Sequence, residues 1–127
     1  PRRLWLAYEV GRAINPLASR GQLEGGSVQA LGWALSERLT IREGRYREDR
    51  LQTYILPTSA AIPRMELSII EIPFAEGPAG AKGLGELPMN AVAPALRNAV
   101  SHALGVKPSS IPLSPEQLFT LAHPELQ

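Results

Sequence analysis

Residues 77–90 read GPAGAKGLGELPMN: four glycines, one lysine and a single carboxylate, Glu86, followed at once by Leu87-Pro88. Glycines let a backbone come close to another group or adopt positive φ, and proline stiffens the chain around it. A carboxylate delivered by such a loop is either a solvated charge or a base aimed at a reacting proton. Known glycine-loop mechanics narrow the choice. A phosphate loop needs GxxxxGK and then Ser or Thr, but Lys82 is followed by Gly83. The dinucleotide fingerprint GxGxxG fails too, because Gly83-Leu84-Gly85 runs into Glu86-Leu87-Pro88. No GxSxG elbow is present. The segment alone leaves solvated charge and base both open.

A second group of residues lies in GQLEGGSVQALGWALSERL. At helical spacing, Gln22, Gly26, Gln29 and Trp33 form one stripe, and Val28, Leu31, Leu35 and Leu39 form an apolar one. Gly25, Gly26 and Gly32 each cost about 1 kcal/mol of helix propensity relative to alanine. A helix that carries them packs closely against something. That neighbour is either a sheet or a bound group lying against Gly25 and Gly26, with Gln22 hydrogen-bonding to it.

These residues need elements to position them. LWLAYEV reads as a buried strand stopped by Gly11, RAINPLASRG as a connector with a turn at Asn15-Pro16, and Gln22–Leu39 as a helix. LTIREGRYRED is a hairpin turning at Glu43-Gly44, and TYILPTSAAIPRM an extended connector. MELSIIEI is a strand ending at Pro73. MNAVAPALRNAVSHALG is an amphipathic helix stopped by Gly105, with Pro94 expected in its first turn. SPEQLFTLA is a short helix with Ser114 as N-cap, Pro115 at N1 and Gln117 completing a capping box; the tail HPELQ is expected to fray. His102 is a lone histidine in its helix. The irregular mixture of strands and helices, with one antiparallel hairpin, predicts an α+β fold: a mixed sheet with packed helices, residues 1–127 forming one domain.

Composition limits the partners. The 127 residues carry 13 basic and 12 acidic side chains, a net charge of +1, so no basic field recruits nucleic acid or an anionic membrane. With no cysteine, iron–sulfur clusters and thiolate metal sites are excluded from this chain. No apolar run is long enough to span a bilayer, and the opening PRRLWLAY lacks a secretory leader's features. A cytoplasmic location, with no membrane partner, is the expectation. A start at Pro1 suggests a processed or excised piece of something longer.

Three segments, in order, carry a resemblance: VGRAINPLASRGQLEGGSVQALGWALSE (10–37), GAKGLGELPMNAVAPALRNAV (80–100) and SIPLSPEQL (110–118). Together they resemble the C-terminal end of the molybdopterin-binding subunit or domain of the molybdenum hydroxylases, the xanthine dehydrogenase and aldehyde oxidase family. The resemblance runs through nearly the whole chain and is least distinctive over residues 40–75. It implies that Glu86, in the GxGE segment, is the active-site base, taking a proton so that a water-derived oxygen attacks an electron-poor carbon of a heterocycle or aldehyde. It implies that Gln22, first in QxEGG, hydrogen-bonds the pterin, with Gly25 and Gly26 permitting close approach. Gln29 and Lys82 are weaker candidates, and Arg12 and Asn15 belong to the fold. The implied cofactor is molybdenum-molybdopterin, shared with segments outside this chain. Iron–sulfur and FAD would sit in partner domains or subunits, and the rest of the molybdopterin subunit would complete the site. No side chain here is expected to ligate the metal. A non-catalytic remnant or interaction module that keeps the fold is the alternative reading.

Overall fold

Alternation along the first strand sends Leu4, Leu6 and Tyr8 to one side and Arg3, Trp5 and Ala7 to the other, the period-2 pattern of a strand with one covered face. In the computed structural model, which describes residues 1–126, this strand is β1 (Arg3–Glu9). It is followed by α1 (Pro16–Leu35), β2 (Ile41–Arg42), β3 (Arg45–Tyr46), β4 (Arg64–Ile70), α2 (Met89–Leu104) and α3 (Pro115–Ala122). Short 3-10 turns lie at Ser59–Ala61, Pro78–Gly80 and Pro124–Leu126. The first strand is therefore half-buried, not buried as its run of apolar residues suggested: Trp5 is 72% exposed.

β1 and β4 pair in parallel, from Arg3 opposite Arg64 to Glu9 opposite Ile70. Parallel neighbours require a long crossover, which α1 and the hairpin supply. The hairpin β2–β3 is antiparallel and turns through Glu43 and Gly44, both at positive φ. Helices and strands mix as the α+β reading expected, with the two senses of pairing divided between separate two-stranded sheets.

Helix α1 begins earlier than its apolar period indicated. Asn15 is its N-cap, the side-chain oxygen accepting from the Ala18 N–H at 3.0 Å, and Pro16 opens the first turn. The Asn-Pro pair is thus a helix start and not a turn within a connector, because a capping side chain followed by proline at N1 suits that role. The helix also ends sooner, at Leu35: Ser36 and Glu37 both direct their N–H to the Gly32 carbonyl, and Leu39 lies beyond the helix, 58% exposed. The covered face of α1 is made of small residues, including Ser19, Gly26, Ser27, Ala30, Gly32 and Ala34, with Leu23 and Leu31 between them. The predicted stripe of Val28, Leu31, Leu35 and Leu39 contributes only Leu31 to the fully buried set.

Two apolar clusters meet at Leu6. One joins α1 to α2 through Ala30, Leu31, Ala34, Val92 and Leu96, and Leu113 plugs it, its N–H donating to the Ala34 carbonyl at 2.7 Å. The other gathers Tyr8, Val10, Ala13 and Leu23, with Leu67, Ile69, Leu84 and Leu87 against them. Helix α2 ends at Gly105 (φ +69) as expected, but Pro94 lies in the second turn, not the first. In α3, Ser114 accepts from the Gln117 N–H, while the Gln117 side chain turns to Ser110 at 2.7 Å, so the capping box is only half made. Residues 124–126 form a turn instead of fraying; Gln127 lies outside the described residues.

Candidate functional site

The glycine-rich loop is fastened at both ends. Upstream, its backbone extends β1: the Lys82 N–H donates to the Val10 carbonyl and the Arg12 N–H to the Gly80 carbonyl, with Gly11 bridging Ala81. The Lys82 ammonium pairs with Glu9, which also accepts from the Gly11 N–H at 2.6 Å. The Lys82 hydrogen bond and then the Gly11 one hold the Glu9 carboxyl below its usual range. Lys82 is therefore a fastening of the loop to β1.

Downstream, Pro88 is buried against α1. A methyl group at Gly26 would overlap the Pro88 ring, so only glycine admits it there. The Tyr8 hydroxyl sits beside this joint, 3.0 Å from the Ser27 hydroxyl and 3.4 Å from the Pro88 carbonyl; Ser27 in turn donates to the Leu23 carbonyl at 2.7 Å. Strand, helix and loop thus share one buried polar knot. Between the two fastenings, Leu84 and Leu87 turn down onto the core around Tyr8, Val10 and Leu23. They hold the loop from beneath and leave Glu86 exposed above it.

Gln22 and the Glu86 loop meet directly. The Gln22 side-chain amide nitrogen donates to the Gly85 carbonyl at 2.9 Å, across 63 residues of sequence. Only the nitrogen of that amide can face a carbonyl, since both oxygens are acceptors. Gln22 and Gly25 are exposed and one helical turn apart on α1. Nothing lies within 4 Å of where a Gly25 methyl would stand, and the same holds at Gly83 and Gly85. Gly25 thus faces open space beside the loop, whereas the space at Gly26 is filled by Pro88. Gln29 is exposed one turn further along.

Sequence reasoning singled out Gln22, Gly25, Gly26 and Glu86, and the fold brings the Glu86 loop across the middle turns of α1 where Gln22, Gly25 and Gly26 lie. It missed Tyr8 and Ser27. A tyrosine in a strand and a serine on a small-residue helix face gave no periodic signal of a joint; the only hint was a serine at a position a hydrophobe would ordinarily fill.

The residues suit a large organic cofactor better than a bare ion. Among the described residues no group of three His, Cys, Asp or Glu is placed to hold a metal. An open glycine beside an exposed amide can receive an organic group. An open cleft of about 970 Å³ lies elsewhere, near Trp33, Tyr54 and Gln117, and includes none of these residues. Ser36 on its rim, the C-cap of α1, lies fourteen positions beyond Gln22, about 21 Å along the helix. No helix among the described residues is long and apolar enough to cross a membrane.

Comparison with known proteins bears on the same region. Residues 1–63 match the family model of the molybdopterin cofactor-binding domain. The chain is 37% identical over 123 residues to the xanthine dehydrogenase molybdenum-binding subunit of Escherichia coli O157:H7, covering 95% of this chain and 16% of that one. Among solved structures, quinoline 2-oxidoreductase of Pseudomonas putida 86 superposes with a TM-score of 0.84 at 30% identity, over 92% of this chain and 15% of the other. Aldehyde oxidoreductase of Desulfovibrio gigas gives 0.81 at 31% identity, over 91% and 13%. The chain therefore spans about one sixth of the length of such relatives.

Proposed function

We propose that this chain is a segment of the molybdopterin-binding subunit of a molybdenum hydroxylase of the xanthine dehydrogenase and aldehyde oxidase type. On this reading it lies toward that subunit's C-terminal end and contributes Glu86 as the active-site base. The observation that carries the reading is the Gln22–Gly85 hydrogen bond, which joins the QxEGG helix face to the GxGE loop. Likeness to molybdenum-binding oxidoreductases over nearly the whole chain supports it.

The bound cofactor would supply oxygen transfer and two-electron redox chemistry, with molybdenum held by the pterin. This chain contributes three residues to the work. Gln22 hydrogen-bonds the pterin, and Gly25 gives it room beside α1. Glu86 holds the proton taken from the attacking oxygen at a carboxylate oxygen. It need only be near and correctly aimed, and a loop fastened at Lys82 and Pro88 provides the aim. The substrate is a small molecule with an electron-poor carbon, an aldehyde or N-heterocycle. The remainder of the subunit completes the cofactor site, and iron–sulfur and flavin components carry the electrons away.

The test is Glu86→Gln in the full-length, assembled enzyme. Turnover should fall 10²- to 10⁴-fold, the usual range for a lost general base, with molybdenum and pterin content unchanged. Turnover within tenfold of wild type would remove Glu86 from the role of base.

A further inference from the structure

Gln22 has two hydrogen-bonding ends, and the structure uses one of them. Its amide nitrogen is committed to the Gly85 carbonyl. Its amide oxygen can only accept, and the amino and ring N–H groups of a pterin can only donate to it. The stretch it holds leads into Glu86, whose own backbone carbonyl accepts from the Met89 N–H at 3.0 Å. Gly83 and Gly85 have open space around them, and Glu86 is exposed. Leu84 and Leu87 grip the core from below, but they do not fix the peptide that precedes the carboxylate.

We propose that Gln22 is a positioning residue for Glu86: its nitrogen holds the Gly85 carbonyl while its oxygen takes a hydrogen bond from the pterin, coupling cofactor occupancy to placement of the base. This deepens the function proposed above and rests on it for the identity of the cofactor. The coupling follows from geometry. Orienting the amide oxygen toward a bound pterin fixes the amide plane, which fixes the nitrogen, and Gly85 is joined by one peptide bond to Glu86. With the cofactor absent, the same side chain has one partner fewer and holds the loop less firmly.

Hydrogen–deuterium exchange on the full-length protein, prepared with and without cofactor, reads this directly. The variants are Gln22→Met, which keeps length and removes both ends, and Gln22→Glu, which keeps an acceptor and removes the donor. The Met89 amide, which donates to the Glu86 carbonyl at 3.0 Å, should exchange about five- to tenfold faster in both variants, the scale of one net hydrogen bond. Exchange in the later turns of α2, from Val92 onward, should be unchanged, reporting an intact fold. In the loaded enzyme, Gln22→Met should lower kcat about tenfold with KM within twofold, and adding it to Glu86→Gln should cost nothing further in kcat. Met89 exchange equal to wild type in both variants would overturn the proposal. The two readings fail separately. If Glu86→Gln turns over normally while Met89 exchange still responds, Glu86 is not the base and Gln22 still positions its loop. If Glu86→Gln is inactive while exchange is indifferent to Gln22, the base stands and the coupling falls.

Discussion

Adjacent glycines on α1 have opposite environments. At Gly26 a methyl group would run into the Pro88 ring; at Gly25 it would meet nothing within 4 Å. Gly26→Ala should therefore destabilise the full-length protein by about 1–3 kcal/mol, the cost of overpacking a closed joint. Gly25→Ala should stabilise α1 by up to about 1 kcal/mol through helix propensity. If the pterin lies against Gly25, the same change should lower molybdenum and pterin content. Denaturant unfolding and elemental analysis on the two variants check both halves. A destabilised Gly25→Ala with full cofactor content would contradict the assignment of that open space. Residue types alone could not separate the pair, since both glycines are equally costly to a helix; only the position of Pro88, far along the chain, tells them apart.

The fastening of the loop to β1 has an acid limit. Glu9 is held below its ordinary value of 4.5 by Lys82 and by the Gly11 N–H, so the folded state favours its carboxylate. A lowered folded value means that the contribution is complete above 4.5 and is lost as pH falls through the lower folded value. The stability gap between wild type and Glu9→Gln should accordingly be constant above 4.5 and close below it. A gap unchanged from neutral to acid pH would show that Glu9 does not hold the loop by charge. Elements of this kind were partly legible in the sequence. The hairpin turn at Glu43-Gly44, the Gly105 stop and the Ser114 cap were readable because each is a local demand on the backbone. The parallel pairing of β1 with β4 and the Tyr8–Ser27–Pro88 knot were not, because they depend on residues brought together from 19 to 80 positions apart. The start of α1 was misread for another reason. Asn-Pro satisfies both a turn and a capped helix, and the apolar period that would decide begins a turn later.

Surface area sets the whole molecule apart from a self-sufficient domain. Its accessible area is 9038 Å², against about 6,600 Å² for a compact monomer of 13.8 kDa. The excess, roughly 2,400 Å², is three times the roughly 800 Å² that one partner buries in a standard interface. Trp5 and Ile70 stand on the outer face of a two-stranded parallel sheet, an arrangement usually covered on both sides. The molecule thus has the surface expected of one piece of a larger body. Fluorescence quenching of Trp5, in a Trp33→Phe background, tests this. Acrylamide should quench it readily in the isolated segment and several-fold less in the full-length subunit. Equal quenching in both would mean that this sheet face stays bare.

The joint at Pro88 also imposes an order in time. Tyr8 and Pro88 are 80 residues apart, and Gln22 and Gly85 are 63 apart. During synthesis Tyr8 is made roughly 4 to 16 s before Pro88, at the usual pace of translation. Through that interval the notch at Gly26 and the Tyr8 hydroxyl stand open to water and to any chain that finds them. The first turns of α1 and the hairpin can form from local contacts alone, whereas the seat for the loop that carries Glu86 stays empty until residues 77–88 emerge. The loop around Glu86 is therefore seated only after some two thirds of this segment has been made, and the helices α2 and α3 follow it.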